Sequence, residues 1–397
     1  MQPRCALADP SPPRRWPVVS ALGIVEILAW GSSYYLMAPL AAAIVAGTGW
    51  PLAQVVGALS LGLAVAGLAS PAVGRLIARH GGRPVLTGGI LCIAAGQLVL
   101  ALAPSVAVFA LGWVVIGLGM AAGLYDPCFA ALGRIWGREA RGAITQLTLW
   151  GGFASTVCWP LSALMLEAIG WRGAVAAYAG LQLAVSLPLI RRVLPREARR
   201  DPAPGPAAAA PRLTTRERRR FALMAAVFTL VALLMTIVSV HLVVLLAARG
   251  FGAAEAVALG ALIGPAQVAA RLVEMAGRGR HHPRWTLAAA GVAAGAGLVA
   301  LGTGWVLPGV ALVLYGGGNG LVSIARGALP LAWFGAGRYP ALMGQLARPA
   351  LLAQAAAPML GALLLQAGGA AAVFGLLAAG GLLLAAMVAV LVALGDP

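Results

Sequence analysis

Glu26, Asp126, Arg271, Glu274, Arg326 and Arg348 are charged residues that fall inside long apolar stretches of this chain. A charged side chain in hydrocarbon costs about 2.5–3.5 kcal/mol, so each of these needs a partner or a task. Two kinds of chemistry are open to them. A guanidinium stays charged and grips a carboxylate through two parallel hydrogen bonds, so Arg271, Arg326 and Arg348 could line a cavity and hold an anion. The same arginines could instead pair with Glu26, Asp126 or Glu274 and form a gate that breaks when the molecule opens. Asp126 and Arg326 stand 200 positions apart, in nearly equivalent places of the two halves, which fits a gate. Arg271 and Glu274 are three residues apart, a spacing that pairs side chains on one helix face. Proton carriage needs a group that loses and regains its proton, which arginine cannot do. Glu26 is the first candidate carrier and Asp126 the second. His241 lies towards the far end of its stretch and reads as a hydrogen-bonded helix residue. Tyr34, Gln146, Asn319 and Gln345 are expected to face the same cavity. Gln97, Gln182 and Gln267 could do so too, or could hold helices together through amide hydrogen bonds.

These groups need helices that cross a membrane. Hydrophobic residues make up 61% of the 397 and charged residues 10%, with a mean hydropathy of +0.92. A soluble domain carries about 25% charged residues. A soluble enzyme, a disordered chain and a disulfide scaffold are therefore excluded, and an all-α integral membrane protein remains. A spanning helix needs about 20 apolar residues. Twelve stretches qualify: 18–44, 53–77, 85–103, 106–132, 143–166, 172–190, 221–247, 254–276, 285–303, 306–331, 341–366 and 370–394. The first is too long for a cleaved signal peptide and lacks a cleavage site. Cys5, Cys92, Cys128 and Cys158 make no metal pattern, and no metal or cofactor is expected.

Arginine supplies all 28 basic residues. With the N-terminus inside, 23 lie in inner segments and two, Arg172 and Arg249, in outer loops; the other three are Arg271, Arg326 and Arg348. The positive-inside rule then places both termini in the cytoplasm. The formal charge of +17 serves topology and anionic lipid, and nucleic acid is not an expected partner. The division is a tail 1–17, a six-helix bundle 18–190, a basic linker 191–220 and a second six-helix bundle 221–397.

The halves repeat. Gln146-Leu147-Thr148, Trp159-Pro160-Leu161 and Leu166 to Gly170 are answered by Gln345-Leu346-Ala347, Ala357-Pro358-Met359 and Leu365 to Gly369, offset by 198–199. Such a repeat predicts two bundles related by a pseudo-two-fold axis along the membrane normal. Between spans 2 and 3 the chain reads Gly74-Arg75-Leu76-Ile77-Ala78-Arg79-His80-Gly81-Gly82-Arg83. With the Gly170-Trp171-Arg172 triplet, it resembles the major facilitator superfamily over nearly its whole length. Gly74, Gly81 and Arg83 match that family's loop motif, which implies a role in the conformational change. Ala78 stands where the motif has an aspartate, so the latch that acid serves falls to other charges. Within the superfamily the chain looks most like monocarboxylate porters and oxalate/formate exchangers. Those carry an arginine in span 8 with a polar residue four positions earlier, matched by Gln267 and Arg271, and a basic residue in span 11, matched by Arg348.

The resemblance implies a secondary transporter, not an enzyme, that works by alternating access. No nucleotide-hydrolysis motif is present: the Gly316-Gly317-Gly318-Asn319-Gly320 run lies inside a span and lacks the Gly-Lys-Ser/Thr ending. The expected substrate is a small organic anion, taken alone or with a proton, carried by a monomer in a bacterial inner membrane. A drug or metabolite efflux porter, with the arginines in a gate, is the alternative.

Overall fold

The computed structural model describes residues 13–197 and 213–395. The expected tail up to residue 12, with Cys5, and the middle of the expected linker lie outside the described residues. The described chain is helical, without a strand. The first half holds α1 (Arg15–Gly31), α2 (Met37–Thr48), α3 (Leu52–His80), α4 (Gly82–Leu102), α5 (Val106–Gly123), α6 (Tyr125–Trp136), α7 (Ala140–Gly151), α8 (Ala154–Leu181) and α9 (Leu187–Val193). The second holds α10 (Thr215–Ala247), α11 (Ala253–Ala261), α12 (Ile263–Ala276), α13 (Pro283–Thr303) and α14 (Pro308–Ala393).

Among the described residues, seven runs are long and apolar enough to cross a membrane. Two are several spans in one: α14 is broken at Gly335 and at Gly368–Gly369, and the run 106–193 is broken at Gly137 and Gly170. With α1–α2 as the first, twelve spans result, six in each half. Positive φ falls at Gly49 and Gly250, Gly81 and Gly279, Gly137 and Gly335, and Gly170 and Gly369. Each pair is separated by 198 to 201 positions, so the backbone repeats the sequence repeat.

Span 1 breaks between α1 and α2, which frees backbone groups that no water can satisfy inside a bilayer. Gln97 of α4 donates to the Ser32 carbonyl at 2.8 Å, and Gln182 donates to the Ser32 hydroxyl at 2.9 Å. Both glutamines are buried, so they hold helices together instead of facing a cavity. Span 4 breaks at Leu124, whose backbone is extended, and Asp126 lies in the first turn of α6. A carboxylate there is favoured by the helix dipole.

The loops rich in arginine gather on one face. On that face the halves are packed together: α3 against α14, α6 against α14, and α7 against both α12 and α14. A Cβ at Gly74 would come 2.5 Å from the Pro340 carbonyl, so spans 2 and 11 touch backbone to backbone there. The segments nearer the opposite face, α2, α8 and α11, pack chiefly within their own halves.

Candidate functional site

Arg271 is 5% exposed and sits on α12 between the halves. Its Nη2 donates to Gln267 Oε1 at 3.2 Å, one turn back. Its Nε approaches Ser323 Oγ at 3.3 Å and the Gly320 carbonyl at 3.4 Å. Nη1 is buried with no hydrogen-bond partner among the described residues. That nitrogen points across the seam at Gly152, where a Cβ would collide with it. The side chain is thus fixed at three points, and one donor faces the first half unused. A buried donor left unmade costs about 1–3 kcal/mol or more when charged, so the site is built for an acceptor.

Aromatic rings line the seam near this guanidinium. Trp30 stands edge-on to Tyr34 at 5.4 Å and tilted to Tyr125 at 5.2 Å. Tyr34 and Tyr35 meet edge-on at 5.1 Å, and Tyr125 stacks on Phe129 at 5.2 Å. Tyr34 thus packs among these rings. Asn319, beside Gly320 on α14, is half-buried, as is Gln345.

Arg326 forms a two-pronged pair with Asp126: Nε to Oδ1 at 2.9 Å and Nη2 to Oδ2 at 2.8 Å. The pair joins α6 of one half to α14 of the other. That pair uses Nε and Nη2 of Arg326 in this conformation. Glu26 is fully buried. Trp30 Nε1 donates to its Oε2 at 2.8 Å, and its Oε1 has no donor among the described residues.

Two expectations need correcting. Arg271 and Glu274 do not pair, although three residues apart. Their helix turns Arg271 towards Gln267 and Ser323, while Glu274 meets Arg141 at 3.3 Å, Thr286 at 2.8 Å and His281 at 3.2 Å. Arg141 also donates to the carbonyls of Gly279, at 3.1 Å, and His281. Gln146, expected at the substrate site, lines a cavity of about 490 Å³ on the arginine-rich face, with Arg141 and Glu274. Arg348 is exposed, with no hydrogen bond or ion pair among the described residues, and its carbonyl abuts Gly67 of α3. His241 Nε2 lies 3.2 Å from the Pro358 carbonyl, a helix-to-helix contact.

The loop motif is held by charges the motif does not include. Arg134 of α6 donates to the Ala78 carbonyl at 2.6 Å and pairs with Glu197 at 2.6 Å. Glu197 Oε1 accepts from the Gly82 amide at 3.3 Å. Gly81 has φ of 83°, and a Cβ there would strike Glu197. Glu197 thus supplies the carboxylate that Ala78 lacks. Arg83 lies in the first turn of α4.

Sequence reading missed Arg141, Arg134, Glu197, Ser323 and Gly152. The arginines had been read as topological charge, and nothing in the spacing marks their partners. Gly152 carries no local signal at all.

Solved structures share this fold. The human organic anion transporter MFSD10 (TETRAN) superposes with a TM-score of 0.76 at 18% identity, covering 95% of this chain and 100% of that one. FucP, a Major Facilitator Superfamily transporter in the outward conformation, gives 0.74 at 13%, covering 95% and 99%. A variant of the E. coli fucose:proton symporter FucP gives 0.67 at 11%, covering 96% of each. No curated protein sequence matches this chain. The sequence profile of the Major Facilitator Superfamily matches residues 22–325. Twelve spans in two repeated bundles, sealed to each other on one face, and that match across most of the length place this chain in the Major Facilitator Superfamily of membrane transporters.

Proposed function

We propose that this transporter moves a small carboxylate-bearing anion, anchored by Arg271. The carrying observation is the buried Nη1 of Arg271, without a partner in a side chain otherwise fixed by Gln267, Ser323 and the Gly320 carbonyl. A guanidinium in a water-poor seam offers an anion a charge-assisted hydrogen bond. The fold likeness to an organic anion transporter supports this reading. Arg348, exposed and deep in span 11, serves as a second cation on the path; an unpaired guanidinium at that depth requires a water-filled approach. Tyr34, Asn319 and Gln345 complete the walls.

The arginine-rich face is cytoplasmic by the positive-inside rule, in a bacterial inner membrane. The conformation is then closed to the cytoplasm, with Asp126–Arg326 as the gate across the seam. Opening parts the 18–190 and 221–397 bundles and breaks that pair. Glu26, with one oxygen held and the other free, carries the proton in symport. Arg326 favours the second reading in one respect: its pairing is what an efflux porter with a purely gating arginine requires.

Ligand-induced thermal stabilisation against a panel of carboxylates tests the proposal. One carboxylate should raise the melting temperature of the wild type and leave Arg271→Gln unmoved. Stabilisation by lipophilic cations or neutral compounds, with no carboxylate active, would overturn it in favour of efflux.

A further inference from the structure

We infer that the cavity on the arginine-rich face is a second anion site, separate from Arg271, that takes a phosphate group and ties the two halves together. It measures about 490 Å³, within the size range of small-molecule pockets. Arg15, Arg138 and Arg141 reach it from the first half and Arg278 from the second, against the carboxylates of Glu139 and Glu274. The balance is more positive than that list suggests. Glu274 is already engaged by Arg141, Thr286 and His281. Arg15 donates to the backbone carbonyl of Glu139, at 3.2 Å, and not to its carboxylate. Arg138 and Arg278 are exposed and meet no carboxylate or carbonyl acceptor among the described residues.

Arg278 carries an independent mark. Its φ is +51°, the one positive value at a non-glycine position among the described residues, between Gly277 and Gly279. Glycine would adopt that conformation without strain, so the chain keeps an arginine where the backbone disfavours one. Guanidinium forks converging on one cavity match phosphate better than a point cation would.

The site straddles the seam. Arg15 and Arg138 belong to the first half and Arg278 to the second. A phosphate held between them therefore binds only while this face is closed, and it stabilises that conformation by its differential affinity. The phosphate can come from an anionic lipid headgroup at the membrane rim or from a free anion in solution.

The test uses purified full-length protein in a neutral detergent. Melting temperature is followed in two arms: dioctanoyl phosphatidylglycerol against dioctanoyl phosphatidylcholine, and sodium phosphate against sodium chloride at fixed ionic strength. Each arm is repeated on Arg138→Gln/Arg278→Gln and on a control of equal charge loss, Arg191→Gln/Arg192→Gln, at the end of α9. Stabilisation of wild type and control, with an apparent affinity at least tenfold weaker in the cavity variant, supports the site. A response to phosphatidylglycerol alone identifies a lipid headgroup, and a response to phosphate identifies a free anion. The proposal fails if neither arm stabilises the wild type, or if the cavity variant responds as the control does. Because Arg271 is intact in every variant, carboxylate-induced stabilisation can be measured alongside and separates this result from failure of the proposed transport site.

Discussion

Asp126 and Arg326 are 200 residues apart in the chain and 2.8 Å apart in space, joined across the two halves by two parallel hydrogen bonds. Each comes from the broken or glycine-rich part of its span, span 4 and span 10. The internal repeat has thus placed an acid and a base at matching positions, where they meet on the seam. Removing one partner of a buried pair costs about 3–5 kcal/mol, and at 18% and 17% exposure roughly half of that is expected here. Asp126→Asn should therefore open the arginine-rich face, raising cysteine-labelling rates there at least tenfold. The exchanged pair, Asp126→Arg with Arg326→Asp, should restore much of the closure. Equal labelling in wild type and Asp126→Asn would show that the pair does not hold this face shut.

Gly152 controls the free end of Arg271. A methyl group there overlaps Nη1, so Gly152→Ala should push the guanidinium off Ser323 and Gly320 while the surrounding helices stay folded. Stability should fall by about 1–3 kcal/mol, the cost of buried donors left without acceptors. Affinity for the transported carboxylate should fall about tenfold, or about 1.4 kcal/mol. Unchanged affinity in isothermal titration would separate Arg271 Nη1 from ligand binding.

Glu197 is expected to act as the acid that the loop motif lacks. Arg134 is 7% exposed on its side chain, and losing its carboxylate strands a buried cation. Glu197→Gln should destabilise the protein by about 2 kcal/mol, in the range for hydrogen bonds to charged groups. Adding Ala78→Asp should recover most of the loss, because it returns a carboxylate beside the carbonyl that Arg134 already touches. No recovery in the melting temperature of the double variant would mean that residue 78 cannot reach Arg134.

Glu217 links stability to pH outside the membrane. It closes a capping box with Thr214 at the start of α10 and accepts from Arg338 at 2.6 Å. The Arg338 hydrogen bond, then the Thr214 amide, push its carboxyl from the ordinary 4.5 down to about 2. A depressed carboxyl stabilises the fold above its unfolded value, and that contribution is lost as pH falls through the folded one. Melting temperature should decline between pH 4.5 and 2, and Glu217→Gln should flatten that part of the curve while lowering stability at pH 7.

Hydropathy, the arginine distribution and the repeat at 198–199 positions were enough for the membrane class, the twelve spans and the paired bundles. Each is a property of the chain's own composition and period. The family resemblance marked Gln267 and Arg271, which meet because residues four apart share a helix face. The same rule misled for Arg271 and Glu274. Neighbours on one helix compete with partners on the next, and Arg141, 133 residues away, holds Glu274 instead. Tertiary structure alone decided that Arg326 is taken by Asp126, that Gln146 looks into a separate cavity, and that Glu197 answers the gap at Ala78. Those outcomes depend on how far each helix is rotated about its axis and which backbones touch across the seam. Side-chain packing between helices sets both, and no period along the sequence records it.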